Sequence, residues 1–221
     1  MKNFLFVSLS VYLLYYGCIS KSSNNVTTNN TTYLLNERND YDGVGNDGTW
    51  GTADDVLYRT IVYHYDSNGL LTTEDLYYAN GNISQRTWTY DNMNNPVGRI
   101  QSSQAQGIQW YATFVSDLPN PGDISELRWN PGPDSQIGSV DDYEIQCRIV
   151  AGPIQKIVSK GAGIDTMWCT SDDPIMQYEN STLDSNGNIA YSNIFSTGID
   201  NAVGGNDDIQ IEIRVYTYTA Q

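Results

Sequence analysis

From residue 56 to the C-terminus, apolar and polar positions alternate in short runs separated by turn-forming residues. The last run is the cleanest: Ile209, Ile211, Ile213 and Val215 alternate with Gln210, Glu212, Arg214 and Tyr216. A period of two marks a strand with one buried face. Similar runs cover 56–66, 70–78, 83–91, 97–104, 108–116, 124–130, 143–150, 154–159, 175–183 and 189–196. No stretch carries a convincing helical period. Tyrosine is frequent in these runs, and large rings suit a pleated, half-exposed surface.

Two kinds of connection join the runs. One is a twelve-residue phrase written four times: GNDGTWGTADDV at 45–56, GPDSQIGSVDDY at 132–143, GIDTMWCTSDDP at 163–174 and GIDNAVGGNDDI at 198–209. A leading glycine, an aspartate at the third position, an apolar residue at the sixth and a closing Asp-Asp pair persist, so backbone geometry matters more here than most side chains. The other connection is a tight turn opened by aspartate, in YHYDSNG (63–69), WTYDNMNN (88–95), FVSDLPNPG (114–122) and TLDSNGN (182–188). Aspartate bonds the backbone two residues on, and glycine accepts positive φ. The unit is therefore strand, Asp turn, strand, twelve-residue loop. The third and fourth loops start 31 and 35 residues after their predecessors, whereas 87 residues separate the first two starts. Roughly three units fit in that gap, so two loop sites are expected to have shrunk to turns near Asn80-Gly81 and Gln106-Gly107. The prediction is an all-β fold: an antiparallel β-hairpin repeat array, or meander, of roughly 11–12 strands in a twisted sheet. An open sheet, two layers and a barrel are all compatible with it.

The Tyr-x-Tyr-Asp-x-Asn-Gly-x-Leu run at 63–71 resembles a YD repeat of the Rhs type, with Tyr90-Asp91 and residues 183–189 as poorer copies. The Gly-x-Asp-Gly-x-Trp-x-Thr-x-Asp-Asp phrase of the first loop is similar to loops interleaved with such repeats in bacterial surface lipoproteins. The resemblance implies a strand-built scaffold at a bacterial cell surface.

Residues 1–17 read as an export signal: Lys2, then an apolar run from Phe4 to Tyr16 too short to span a bilayer, then Gly17-Cys18. A cysteine directly after a small residue at that point resembles a bacterial lipoprotein signal, in which Cys18 is diacylated and becomes the first mature residue. An ordinary secretory signal with an incidental cysteine is the alternative. Residues 18–32, rich in Ser, Asn and Thr, hold too few apolar groups to offset their ordering entropy and form a flexible tether. Residues 33–221 are then the β-hairpin repeat domain. The expected location is extracytoplasmic, lipid-anchored to a bacterial membrane, at the outer membrane or cell surface.

The chain carries 11 basic and 26 acidic residues, a net charge of −15. Loss of residues 1–17 removes Lys2 and no acid, giving −16. Such a field repels nucleic acid and anionic membrane surfaces. Twelve of the 26 acids sit in the four loops: Asp47, Asp54 and Asp55; Asp134, Asp141 and Asp142; Asp165, Asp172 and Asp173; Asp200, Asp207 and Asp208. Calcium takes six to eight hard oxygens, which such loops could supply with backbone carbonyls and water. The spacing is not that of an EF-hand. The competing reading has each aspartate bond its own loop while the pair caps the next strand, and adjacent aspartates in extended chain point apart. Calcium is therefore an expected candidate ligand. Cys147 and Cys169 are candidates for a disulfide or for two buried thiols.

Trp50, Ile137, Trp168 and Val203 fill the sixth position of the loops. Two aliphatic members favour an apolar plug over a sugar-stacking platform. Trp88, Trp110 and Trp129 lie on strands and are expected in the core. His64 is the one histidine, flanked by tyrosines, and no nucleophile motif accompanies it. The expectation is a non-catalytic surface module, binding an unidentified protein or glycan, or structural. The alternative is a calcium-dependent carbohydrate-binding protein or a carboxylate-based glycosidase.

Overall fold

The computed structural model describes residues 33–115, 124–150, 155–160, 164 and 174–220. The export signal, Cys18, the tether, Asp117, Asp165, Trp168, Cys169, Asp172 and Asp173 lie outside the described residues. Twelve strands follow in order: β1 (Tyr33–Gly43), β2 (Val56–Tyr65), β3 (Leu71–Tyr78), β4 (Ile83–Tyr90), β5 (Pro96–Ser103), β6 (Gly107–Val115), β7 (Ile124–Asn130), β8 (Tyr143–Val150), β9 (Gln155–Lys160), β10 (Ile175–Leu183), β11 (Ile189–Ser196) and β12 (Ile209–Ala220). Each pairs antiparallel with its sequence neighbours. β1 also pairs with β12, from Tyr33↔Ala220 to Tyr41↔Ile213, which closes the sheet into a barrel.

Alternation located β2 to β11 to within one residue at each end, and the start of β12. It missed β1, whose centre reads Glu37-Arg38-Asn39-Asp40 and is polar on both faces. For β12 the alternation did not tell which face turns inward, and Ile213 on the outer face is itself buried. Ile209 and Val215 are 64% and 40% exposed on the outside, while Arg214, 7% exposed, points inward with Glu212 and Tyr216. The reason is barrel width. Eight strands already enclose about as much space as ordinary side chains fill, so twelve need long side chains to fill the lumen. Registered neighbours form inward rows: Glu74, Arg86 and Gln101 in one, and Trp88, Arg99, Ala112 and Arg128 in the next. Ile61 and Leu76, paired across β2 and β3, are fully buried, as is Ile194 on β11.

The outward face of β1 to β4 is polar. Asn39 binds Glu37 and accepts from Thr60, and Asp75 accepts from Gln85 and meets His64 Nε2 at 2.8 Å. A lipid-facing barrel needs a continuous apolar band, which these four strands do not carry. Among the described residues no helix is long and apolar enough to cross a membrane.

Alternating strand direction sorts the connections. Those after odd-numbered strands share one barrel end, where the first, second and fourth twelve-residue loops lie beside the turns at Asn80-Gly81 and Ser103-Gly107. The shrunken loop sites thus fall where the repeat requires them. The Asp turns occupy the other end, beside Tyr33 and Ala220. Asp66, Asp91 and Asp184 repeat one bonding scheme: Oδ1 accepts the N–H groups two and four residues on, at 2.8–2.9 Å. The fourth turn residue is left-handed in each, Gly69 and Gly187 at φ 79° and 82°, and Asn94 at 65°.

Candidate functional site

The twelve-residue loops follow one hydrogen-bond code. The third-position aspartate accepts the N–H two residues on: Thr49 to Asp47, Gln136 to Asp134 and Ala202 to Asp200, each at 2.8 Å. The first Asp of the closing pair reaches back to the loop start. Asp54 and Asp141 accept the N–H of Asp47 and Asp134, and Asp207 accepts that of Ile199 at 2.7 Å. A Cβ on Gly45, Gly132 or Gly198 would collide with that carboxylate, which explains the leading glycine. The second Asp of the pair accepts the seventh-position N–H: Gly51 to Asp55 at 2.7 Å, Gly138 to Asp142 at 2.6 Å and Gly204 to Asp208 at 2.8 Å. Most recurrent carboxylates therefore organise their own loop, as one of the two readings expected.

The loops also clasp the barrel wall. Tyr111 stacks on its β7 partner Trp129 and donates its hydroxyl to Asp142 at 2.6 Å. Tyr178 stacks on its β11 partner Phe195 and donates to Asp208 at 2.7 Å. The corresponding pair under the first loop is Ile213 and Tyr41, where Ile213 offers no hydroxyl. Asp55 Oδ1 is left buried without a hydrogen-bond partner. Cys147 on β8 is fully buried and disulfide-bonded. Its proposed partner Cys169 lies outside the described residues. The sixth position is no buried plug: Ile137 is 42% exposed, and Trp50 and Val203 are half-exposed. The side chain anchoring the second and fourth loops to the wall is the closing aspartate.

The expectation that adjacent aspartates point apart does not hold, because the loop is curved where they sit. Asp134, Asp141 and Asp142 gather oxygens within 4.8 Å of one another, as do Asp200, Asp207 and Asp208, whereas Asp47, Asp54 and Asp55 do not gather so closely. The two clusters differ in fit to a cation. In the second loop the Ser139 hydroxyl stands among the carboxylates, bonding Asp141, Asp142 at 3.0 Å and Asp134 at 3.3 Å. Thr52 plays that part for Asp54 in the first loop. The fourth loop has Gly205 in this place, and a Cβ there would meet Asp200 Oδ2 at 2.8 Å and Asp207 Oδ1 at 3.0 Å. Asp208 Oδ1 is buried without a partner. Of the three described loops, the fourth is the one whose three aspartates gather with no hydroxyl side chain at the eighth position.

The second charged assembly fills the lumen. Asp40, fully buried, accepts from Arg38 at 2.7 and 2.9 Å and from Arg59 at 2.7 Å. Glu74 accepts from Arg86 and from Trp88 Nε1, both at 2.8 Å. Glu126 binds Arg99 and Arg128, and Glu179 accepts from Arg214 at 2.8 Å and from the Tyr216 hydroxyl at 3.2 Å. Burial opposes the charge on Asp40, but Arg38, Arg214 and Arg59 outweigh it and hold the carboxyl well below the ordinary range. Glu74 is lowered the same way, burial yielding to Arg86 and Arg99. Arg86 is brought down to about 10 by burial, and by Arg99, Arg59 and Arg38, against the pull of Glu74.

A chamber of about 360 Å³ opens within this network. Arg38, Arg59, Arg86, Arg99, Arg128 and Arg214 line it, together with Trp110 and tyrosines 58, 63 and 78. Glu74 is the one carboxylate in its wall among the described residues. The chain has seven arginines, and six face this space.

No family model matches the chain, and no curated protein does. Among solved structures it is similar to a porin-like protein from Bacteroides uniformis ATCC 8492, at 12% identity over 84% of this chain and 96% of that one, with a TM-score of 0.34. A likeness that distant bears no functional weight.

Sequence reasoning placed the loop carboxylates but missed the lumen. Trp110 is a wall of the chamber, Trp88 is buried beside it, and Trp129 lies outside beneath the second loop's clasp. The available signal was the pairing of opposite charges two apart on strands: Arg38 with Asp40, Glu126 with Arg128, and Glu212 with Arg214. Positions i and i+2 of a strand share a face.

Proposed function

We propose that this protein is an exported, lipid-anchored, non-catalytic binding module built on a rigid closed barrel. The observation that carries the reading is the disposition of its acids: lumen carboxylates are held by arginine and loop carboxylates by backbone N–H groups, so they serve architecture rather than proton transfer. His64 pairs with Asp75 on the outward face, away from the chamber. The polar outward face of β1 to β4 supports a barrel standing at least partly in water, and Gly17-Cys18 followed by a tether supports an anchor that holds it near a membrane. The lipid is tested by fatty-acid labelling of cells expressing the full chain. Label on the wild type and none on Cys18→Ala is expected; an unlabelled wild type overturns the anchor.

A calcium ion in the fourth loop belongs to the same reading, supported by the gathered aspartates beside Gly205 and the unpartnered Asp208 Oδ1. Binding to the folded loop stabilises by mass action. At fixed ionic strength, millimolar calcium should raise the melting temperature more than magnesium does, because magnesium dehydrates reluctantly. Asp207→Asn should remove the increment, and Asp141→Asn should not. A melting temperature indifferent to calcium and to EDTA removes the ion from the account.

A further inference from the structure

The lumen network is not a closed set of ion pairs. Five inward carboxylates are bonded by the six arginines, yet four of the five sit behind the chamber surface and only Glu74 reaches it. The chamber wall among the described residues is therefore rich in guanidinium and poor in carboxylate. Arg99, 5% exposed, forms part of the chamber wall. Trp110 sits beneath three guanidinium groups, with Arg128, Arg99 and Arg86 carbons 4.4, 5.2 and 5.7 Å from its ring. Arginine forks fit oxyanions with two parallel hydrogen bonds. The volume lies in the range of small-molecule sites. Tyr58, 37% exposed yet part of the chamber wall, marks a mouth at the loop end.

We propose that the chamber is a binding site for a small oxyanion, a molecule of about one sugar residue in size carrying carboxylate, sulfate or phosphate groups, held by Arg59, Arg99 and the guanidinium groups over Trp110. Among the described residues the chamber lining carries six arginines and one carboxylate, in a chain whose overall charge is −15. Its depressed arginine, Arg86, is the group whose charge a bound anion would most relieve. The proposal names the ligand class for the binding module above and rests on that reading only for its biological setting.

The test is isothermal titration of the purified full chain at fixed ionic strength with glucuronate, its neutral counterpart glucose, sulfate and pyrophosphate, followed in parallel by tryptophan fluorescence. At least one of the three anions should bind once per chain and change the fluorescence, and glucose should do neither; which anion does so identifies carboxylate, sulfate or phosphate chemistry. Arg59→Gln should weaken binding about tenfold, the worth of a charge-assisted contact. It should still fold, since Arg38 holds Asp40 through two hydrogen bonds. Trp110→Phe should abolish the fluorescence change while binding persists. Silence with all three anions, equal binding of glucose, or binding unmoved by Arg59→Gln would overturn the proposal. None of these outcomes touches the lipid labelling, so the two readings fail separately.

Discussion

Glu74 offers the sharpest test of how this barrel is held together. The carboxylate is 3% exposed and accepts from Arg86 and Trp88 at 2.8 Å, with Arg99 at 3.8 Å. Glu74→Gln keeps the volume and removes the charge. Arg86 retains Gln101 and Arg99 retains Glu126, so neither is wholly abandoned. Breaking a buried pair by removing one partner costs about 3–5 kcal/mol, and these residual contacts place the expected loss near the lower end, about 3 kcal/mol. For a domain of this size each kcal/mol moves the melting temperature by about 2–4 °C, so a fall of about 6–12 °C is expected. Urea unfolding should show a lower midpoint at unchanged slope. The companion variant Glu74→Leu/Arg86→Met removes both charges and should recover most of the loss, because two matched apolar side chains leave no charge unpaired. If Glu74→Gln costs under about 1 kcal/mol, or if the double variant is the less stable of the two, the lumen is better hydrated than the ion-pair account allows.

Two further predictions concern the connections. The Tyr178 hydroxyl is pushed up to about 12, by burial first and then by Asp208, above the unfolded value of about 10. Its contribution is therefore present in full below about pH 10 and is lost as the pH rises towards about 12. Tyr178→Phe should cost about 1–2 kcal/mol at neutral pH and flatten the alkaline decline; an unchanged profile above pH 9 contradicts the clasp. At the other end of the barrel, Asp184→Ala loses both N–H bonds of its turn and should cost about 1–2 kcal/mol, while Asp184→Asn, which keeps an oxygen in place, should recover most of it. Equal denaturation midpoints for the two variants would refute the turn's bonding role.

Much of the architecture was legible because turn chemistry is local. An aspartate bonding two and four residues ahead, or a glycine where a Cβ would strike a carboxylate, leaves its mark within a dozen residues, so β2 to β12 and their connections could be read. Closure was not legible, because the strand that provides it has Glu37, Asn39 and Tyr41 on its outer face and Arg38 and Asp40 on the inner one. The lumen was hidden for the same reason. Hydrophobic periodicity finds cores made of hydrocarbon, and this core is made of guanidinium, carboxylate and aromatic groups whose partners are strands apart, such as Arg99 with Glu126 or Arg214 with Glu179. The convergence of Asp134, Asp141 and Asp142 likewise depends on loop curvature that alternation does not encode.

The seam between β1 and β12 sets the order in which this molecule is finished. Every other pairing joins strands adjacent in sequence and can zip up hairpin by hairpin, at low entropic cost per step. The seam joins the two described strands that lie furthest apart in the sequence. Until Ala220 is available to Tyr33, both edges of the sheet are raw and open to pairing with another chain. Losing even part of β12 would therefore do more than shorten the barrel. It would leave a sheet with two sticky borders and strip Arg214 from Asp40 and Glu179, turning a closed barrel into a seed for assembly.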